Sequence, residues 1–240
     1  MELARLEPAK ILETAERLEK RIEERFPESG LSRVCSQLVE LCSHANETCH
    51  QIREPNWLVR IPSYGLLILM VLASVGALLM AMFGGKDHGG ISWAEGLQVA
   101  EAAINDVLLL GAAGWFLASY EVRRKRSRVV GALHQLRTLA HLIDVHQLSK
   151  TPGMIGQTES HTPSSPKRTF SRFQMGRYLD YCSEMLALNG KVAALYGDGF
   201  DDPEAIRAVT EVEELCIGLQ RKIWQKMILL RGSGTAVRAS

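Results

Sequence analysis

Apolar positions recur along much of this chain at steps of three and four, the period of one face of an α-helix. From Pro8 to Phe26 the recurring positions are Ile11, Ala15, Leu18 and Ile22, with Glu and Lys elsewhere. Phe26 to Gly30 reads as a turn. Leu31 to Arg53 then repeats the pattern through Leu31, Val34, Leu38, Leu41, Ala45 and Ile52, an a/d-like seam. Nearer the C-terminus, Ser171 to Tyr196 carries Phe173, Leu179, Cys182, Leu186 and Val192. Pro203 to Leu230 places Ile206, Val209, Cys216, Leu219, Ile223, Met227 and Leu230 on one stripe. Between them lies a tight turn, Gly197 to Pro203, with Asp202 placed to cap the helix that Pro203 opens. These last two helices are expected to pack antiparallel.

Two other stretches follow a different rule. Ile61 to Gly84 contains no charged residue. A spanning helix needs roughly 20 mostly apolar residues, and this run supplies them. A second apolar core, Val107 to Ala118, covers only about 18 Å at about 1.5 Å per residue. To cross a hydrocarbon layer of about 30 Å it must extend back through Leu97 to Ile104, which carries Glu101, Asn105 and Asp106 toward one membrane face. Arg53 and Arg60 precede the first stretch, Lys86 is the only base of the connecting loop, and Arg123, Arg124, Lys125, Arg126 and Arg128 follow the second. The positive-inside rule then puts both termini in the cytoplasm. Trp57, Tyr64, Trp115 and Tyr120 fall near the inner interface and Trp93 near the outer one. Ala73, Ala77 and Ala81, with Gly114 and Ala118, form small-residue stripes suited to close helix approach in lipid.

The expected fold class is therefore all-α: a two-helix transmembrane hairpin with a cytoplasmic helical bundle built from N- and C-terminal segments. Residues 1–56 form an N-terminal cytoplasmic helical pair, and 57–121 the hairpin, with spans at about 61–84 and 97–120. Residues 122–148 form a post-membrane helix continuous with the second span. Residues 149–169, rich in Ser, Thr, Pro and Gly, read as a flexible linker. Residues 170–231 make a C-terminal helical hairpin, and 232–240 a disordered tail. The basic cluster from Arg123 to Arg128 is a membrane-surface anchor for anionic lipid.

Composition narrows the chemistry. A net charge of +1 over 240 residues gives no field that would mark a nucleic-acid binder, and none is expected as a partner. Five cysteines without a CxxC pair suggest neither a disulfide framework nor a zinc site. Cys35, Cys42 and Cys49 repeat every seventh residue beside the second seam, about 10.5 Å apart along the axis, too far to share a metal ion. They read as packing residues, with an interchain thiol contact as the alternative. No phosphate-binding glycine loop or nucleophile elbow is present.

Two polar clusters remain. His134, Arg137, His141 and Asp144 share one helix face, with His146 close by. His134, His141 and Asp144 are weak metal-ligand candidates, and a polar seam between helices is the competing reading. Glu101, Asn105 and Asp106 are pore-lining candidates, because ionisable groups inside a bilayer are costly to keep. A helix that simply begins in the headgroup region is the plainer account of them.

Over roughly residues 5 to 150 the layout resembles the two-span SLATT effectors of bacteria: cytosolic helices, a membrane hairpin, then a long cytosolic helix. The segments RTLAHLIDVHQLSK and RKIWQKMILL are similar to those of bacterial two-span membrane proteins to which no activity is attached. The resemblance implies a membrane effector that forms pores, and it assigns no site residues. The leading expectation is a non-enzymatic inner-membrane protein without a cofactor, whose bundle binds copies of itself or a protein partner. An oligomeric channel and a membrane-tethered metal-dependent enzyme are the alternatives.

Overall fold

The structure, a computed structural model, describes residues 6–53, 93–148, 150, 170–198 and 200–236, with scattered positions between 65 and 79. The described residues are helical, with no strand among them. The helices are α1 (Pro8–Arg25), α2 (Gly30–Arg53), α3 (Trp93–Leu148), α4 (Arg172–Gly197) and α5 (Pro203–Ala236). The described positions between 65 and 79 are helical too. The chain divides into two compact units, Met1–Arg53 with Arg128–Ser240, and Glu54–Ser127.

Local chemistry sets the helix ends. Pro8 occupies the first turn of α1, where its missing N–H costs nothing. The chain reverses after Phe26 through Glu28, held at φ 52° in the left-handed region. Ser29 then caps α2: its Oγ accepts from the Ser32 N–H at 3.1 Å. A capping box opens α4. Ser171 Oγ accepts from Gln174 N at 3.2 Å, and Gln174 Oε1 accepts from Ser171 N at 2.9 Å. Asp202 caps α5 as its position before Pro203 predicts, accepting from the N–H groups of Glu204 and Ala205, each at 3.1 Å.

In the first unit, α4 lies at the centre. It buries side chains over more than half of its circumference, among them Met175, Tyr178, Leu179, Tyr181, Met185, Leu188, Val192 and Leu195, and keeps Arg177, Asp180, Glu184 and Lys191 on the remaining side. An apolar face that wide needs more than one neighbour to cover it. The buried faces of α1 (Ile11, Ala15, Leu18, Ile22) and α2 (Leu31, Val34, Leu38, Ala45) join one core with it. So do Val129, Leu133, Leu136, Leu139, Ala140 and Ile143 of α3, and the Val209, Cys216, Ile223 and Leu230 row of α5.

Small residues let α5 come close to α4. Gly176, Ser183, Gly190 and Gly197 recur every seventh residue along α4. A Cβ built on Gly176 would meet Leu230 Cδ2 at 3.5 Å, one on Gly190 would meet Cys216 Cβ at 3.8 Å, and one on Gly197 would meet Val209 at 3.8 Å. The pairs run in opposite directions along the two chains, so the helices pack antiparallel with small residues set against larger ones. Gln220 Nε2 donates to the Ser183 carbonyl at 3.0 Å along the same line.

Several expectations need adjusting. Phe173 is exposed; its ring lies 5.4 Å from the Arg25 guanidinium carbon, outside the core. Ile206 is exposed because it lies about a quarter-turn from the Val209–Leu230 row. Cys35, Cys42 and Cys49 are buried, whereas Leu41 is only half-buried, so the thiols fill the seam rather than flank it. Helix α5 continues to Ala236, into the segment expected to be a disordered tail. Among the described residues, no helix is long and apolar enough to cross a membrane. In α3, Glu101, Asn105 and Asp106 interrupt the apolar run. Most of the first expected span, 61–84, and of the linker, 149–169, lies outside the described residues, as do Ala73, Ala77 and Ala81.

Replacing Gly190 by Ala adds a methyl group at ordinary contact distance and removes a mid-helix glycine. The expected result is a gain of about 0.5–1 kcal/mol in denaturant unfolding of the full chain. Gly190→Leu is expected to lose about 1–3 kcal/mol through overpacking against Cys216. A loss with Ala would mean that the helices approach more closely than described.

Candidate functional site

The densest polar construction in the first unit lies where α3 ends. The last four carbonyls of a helix have no intrahelical donor. Here neighbouring helices supply donors. Lys226 Nζ of α5 donates to the Gln147 carbonyl at 2.7 Å, and Lys150 N donates to the same oxygen at 3.1 Å. Tyr178 of α4 donates its hydroxyl to the His146 carbonyl at 3.5 Å. The Gln147 side chain is itself buried: its Nε2 donates to Asp144 Oδ1 at 2.5 Å, while its Oε1 has no hydrogen-bond partner.

Aromatic rings close one side. Phe26 lies 5.2 Å from Phe170 and 5.5 Å from Tyr178, centroid to centroid, and Phe170 and Tyr178 are 5.5 Å apart. The Lys150 ammonium sits 4.5 Å from the Phe170 centroid, within cation–π range. On another side the His146 imidazole occupies the space that a Cβ on Gly30 would need. That close approach, not the turn, is the reason for glycine at position 30; the left-handed residue of the turn is Glu28.

Burial controls the charge states. It lowers the pKa of His146, and the positive fields of Arg33 and Lys150 lower it further. Burial lowers the Lys226 pKa, partly offset by Asp144. Burial raises the Tyr178 hydroxyl well above its ordinary range and pushes the Cys182 thiol up to about 12. The hydroxyl and the ammonium are engaged on backbone carbonyls, and the thiol is held protonated, far from a reactive thiolate. The arrangement ties the end of α3 to α4 and α5.

The residues singled out from sequence are spread out. His134 and His141 are exposed on α3, and Arg137 reaches Glu211 of α5 at 3.4 Å across an exposed seam. Asp144 is half-buried and accepts from Gln147, while His146 turns toward Gly30. Among the described residues, no three His, Cys, Asp or Glu side chains come together as a group that could hold a metal ion. In the second unit Glu101 and Asn105 are exposed and Asp106 is half-buried. Arg123 and Arg124 are exposed, as is Arg128; Lys125 and Arg126 are half-buried. All five cysteines are buried and none forms a disulfide, with Cys35 and Cys42 pushed up to about 12 chiefly by burial, so they serve packing.

A groove of about 440 Å³ runs between the start of α1 and α4. Its floor includes Leu6, Ile11, Ala187 and Leu188, and its rim Glu7, Lys10, Glu184 and Lys191. At the rim Glu184 is paired with Arg21 at 2.5 Å.

Sequence reasoning missed Gln147, Tyr178, Asn189 and Lys226. Two of these left a signal. Gln147 follows Leu136, Ala140 and Ile143 on the apolar period of α3, and Asn189 follows Cys182 and Leu186 on that of α4. A polar residue on an apolar face marks a buried hydrogen-bonding site. Asn189 is fully buried, and its Nδ2 donates to the Leu136 carbonyl at 2.9 Å.

No protein-family model, curated protein or solved structure matches the chain.

Gly30→Ala is expected to destabilise the fold by about 1–3 kcal/mol, because a methyl group must displace the His146 ring. His146→Ala in the same chain should recover most of that loss, with a coupling of about 0.5–3 kcal/mol in a double-mutant cycle. The lowered pKa of His146 also gives a pH dependence. Below the ordinary imidazole value of 6.5 the unfolded chain binds a proton that the folded chain resists, so stability falls on acidification until the folded pKa is passed. Urea titrations across that window should show a steeper acid loss for the wild type than for His146→Gln. Equal slopes would remove His146 as the cause.

Proposed function

We propose that this chain is a non-enzymatic, two-span inner-membrane protein with both termini in the cytoplasm, and that its helical bundle mediates self-association or partner binding. The observation that carries the reading is the apolar surface of α3 before the basic cluster. Leu97, Ile104, Val107, Leu108, Leu109, Trp115 and Phe116 all stand exposed, Leu109 at 61% and Trp115 at 78%. Consecutive residues point about 100° apart, so these side chains spread over about 200° of the helix circumference, wider than a single seam. The described positions between 65 and 79 add Ile68, Leu69, Leu72, Val75 and Leu79, also exposed.

Burying one such side chain is worth about 1.5–3 kcal/mol. These side chains are already partly covered, at 46–78% exposed, so burying the rest of a dozen amounts to roughly 10–20 kcal/mol, comparable with the 5–15 kcal/mol that holds an ordinary domain together. Surface of that extent favours a nonaqueous surrounding, and a bilayer suits an apolar face this broad. The first crossing then lies in the charge-free run 61–84 and the second at about 97–120, with its apolar core at 107–118. Asp106 and Glu101 then lie toward the outer face, where hydration and local thinning reduce their cost. Arg123 to Arg128 would meet anionic headgroups on the inner face.

Cell fractionation tests this. The full chain is expected to remain in the membrane pellet through high-salt and alkaline washes. Tags at both termini should be cleaved by protease in inverted vesicles and protected in intact spheroplasts. Release by salt alone, or a terminus cleaved from outside, would overturn the reading.

A further inference from the structure

Beyond its basic cluster, helix α3 leaves the face opposite its core row uncovered. Gly131, His134, Thr138, His141, Val145 and Leu148 recur there at steps of three and four, and all six are exposed. The row runs about 25 Å along the helix at the spacing of a coiled-coil seam. From Val129 to Leu148 the only Asp, Glu, Lys or Arg residues are Arg137 and Asp144. Both are engaged off the row, Arg137 with Glu211 and Asp144 with Gln147. The solvated face of α1 is built differently: Glu13, Glu16, Arg17, Lys20 and Glu24 all stand exposed on it.

Two details suit the row to close approach by another helix. Thr138 donates its hydroxyl to the His134 carbonyl at 3.0 Å, so its one side-chain donor is satisfied within α3. Among the described residues, nothing lies within 4 Å of a Cβ built on Gly131. A glycine inside a helix costs about 1 kcal/mol relative to alanine. The described packing gives no reason for it here, whereas a helix seated on the row would use the space.

Orientation selects the occupant. Helix α3 is continuous from Trp93 to Leu148 and, in the proposed reading, leaves the bilayer at its basic cluster. Two copies in one membrane therefore present this row in parallel. A two-fold axis along the membrane normal sets each residue against its own counterpart, so any fixed charge on the row would face its like. The α3 row carries none. The exposed row of α5, with Ile206, Ile217, Trp224 and Ile228, carries Glu213 among them. Helix α5 runs in the same direction as α3, since Glu211 meets Arg137 and Lys226 meets the Gln147 carbonyl. Pairing α5 with itself in one membrane would thus stack Glu213 on Glu213.

We infer that the α3 row is a parallel two-fold dimer seam, on which α3 of a second copy sets Thr138 against Thr138 and Val145 against Val145. The pairing is isologous and closes as a dimer. It rests on the membrane reading for its parallel sense, and it deepens the self-association part of that reading by naming the partner. Confinement to one membrane raises the effective concentration of the two copies.

Disulfide trapping in the full chain, in native membranes, tests it. The wild type is the blank, because its thiols are buried. Thr138→Cys and Val145→Cys should each crosslink to themselves on mild oxidation, whereas Lys20→Cys and Ile217→Cys should not. Adding Thr138→Lys to the Val145→Cys chain should reduce its product about tenfold. Co-expression of that chain with a differently tagged Thr138→Glu, Val145→Cys chain should restore crosslinking between the two. Crosslinking at Ile217→Cys but at neither α3 position would move the contact to α5 and overturn the seam. No crosslinking from a membrane-bound chain with normal helical circular dichroism would overturn the seam and leave the membrane reading standing. Protection of Val145→Cys from a water-soluble thiol reagent without crosslinking would give the row to a different partner and overturn the dimer. Crosslinking of a chain recovered from the soluble fraction would keep the seam and overturn the membrane reading.

Discussion

The antiparallel contact between α4 and α5, with a small residue at every seventh position of α4, is the packing on which the first unit depends. Gly176, Gly190 and Gly197 bring the α4 backbone against Leu230, Cys216 and Val209. A one-residue slip would rotate side chains into the places these glycines leave open. Asn189 reinforces the register from inside. Its amide donates to the Leu136 carbonyl and also meets Cys216 Sγ at 3.4 Å, so α3, α4 and α5 converge on one buried group. Its Oδ1 has no partner. A buried oxygen left unpaired costs about 1–3 kcal/mol, a cost set against specificity in how the helices align.

Because α5 covers only one side of α4, the rest of α4 requires α1, α2 and the second half of α3. The end of α3 is fastened by side chains from elsewhere, Lys226 on one carbonyl and Tyr178 on the next. Those donors satisfy groups that would otherwise be stranded in an apolar surrounding. The aromatic cluster of Phe26, Phe170 and Tyr178 then seals the α1–α2 turn against the start of α4. The polar residues of this region thus have structural employment.

Much of this was legible in the sequence because it depends on periodicity. The α1 stripe, the Asp202 cap and the continuity of α3 through Leu148 all follow from local pattern. Helix α4 was read too narrowly. An apolar stripe through Leu179, Leu186 and Val192 is visible, but Tyr178, Tyr181, Leu188 and Leu195 are buried as well, and a single-face reading does not include them. The glycines of α4 show as a seven-residue repeat, yet their role depends on what lies opposite, which only the fold reveals. His134, His141 and Asp144 share a face by spacing, but a shared face does not converge side chains on a ligand. Lys226 and Tyr178 left no local signal, since their partners are backbone carbonyls distant in sequence.

The membrane reading rests on the exposed apolar girth of α3, and it extends to the first apolar run by sequence alone. Accessibility of a nitroxide at Leu109→Cys, in the full chain reconstituted into liposomes, tests it most directly. Native thiols do not compete for the label, being buried and, at Cys35 and Cys42, pushed up to about 12. The account predicts that dissolved oxygen relaxes the label at 109 strongly and a water-soluble nickel chelate barely does, with the order reversed for a label at Arg124→Cys. Equal access of the chelate to both positions would contradict it.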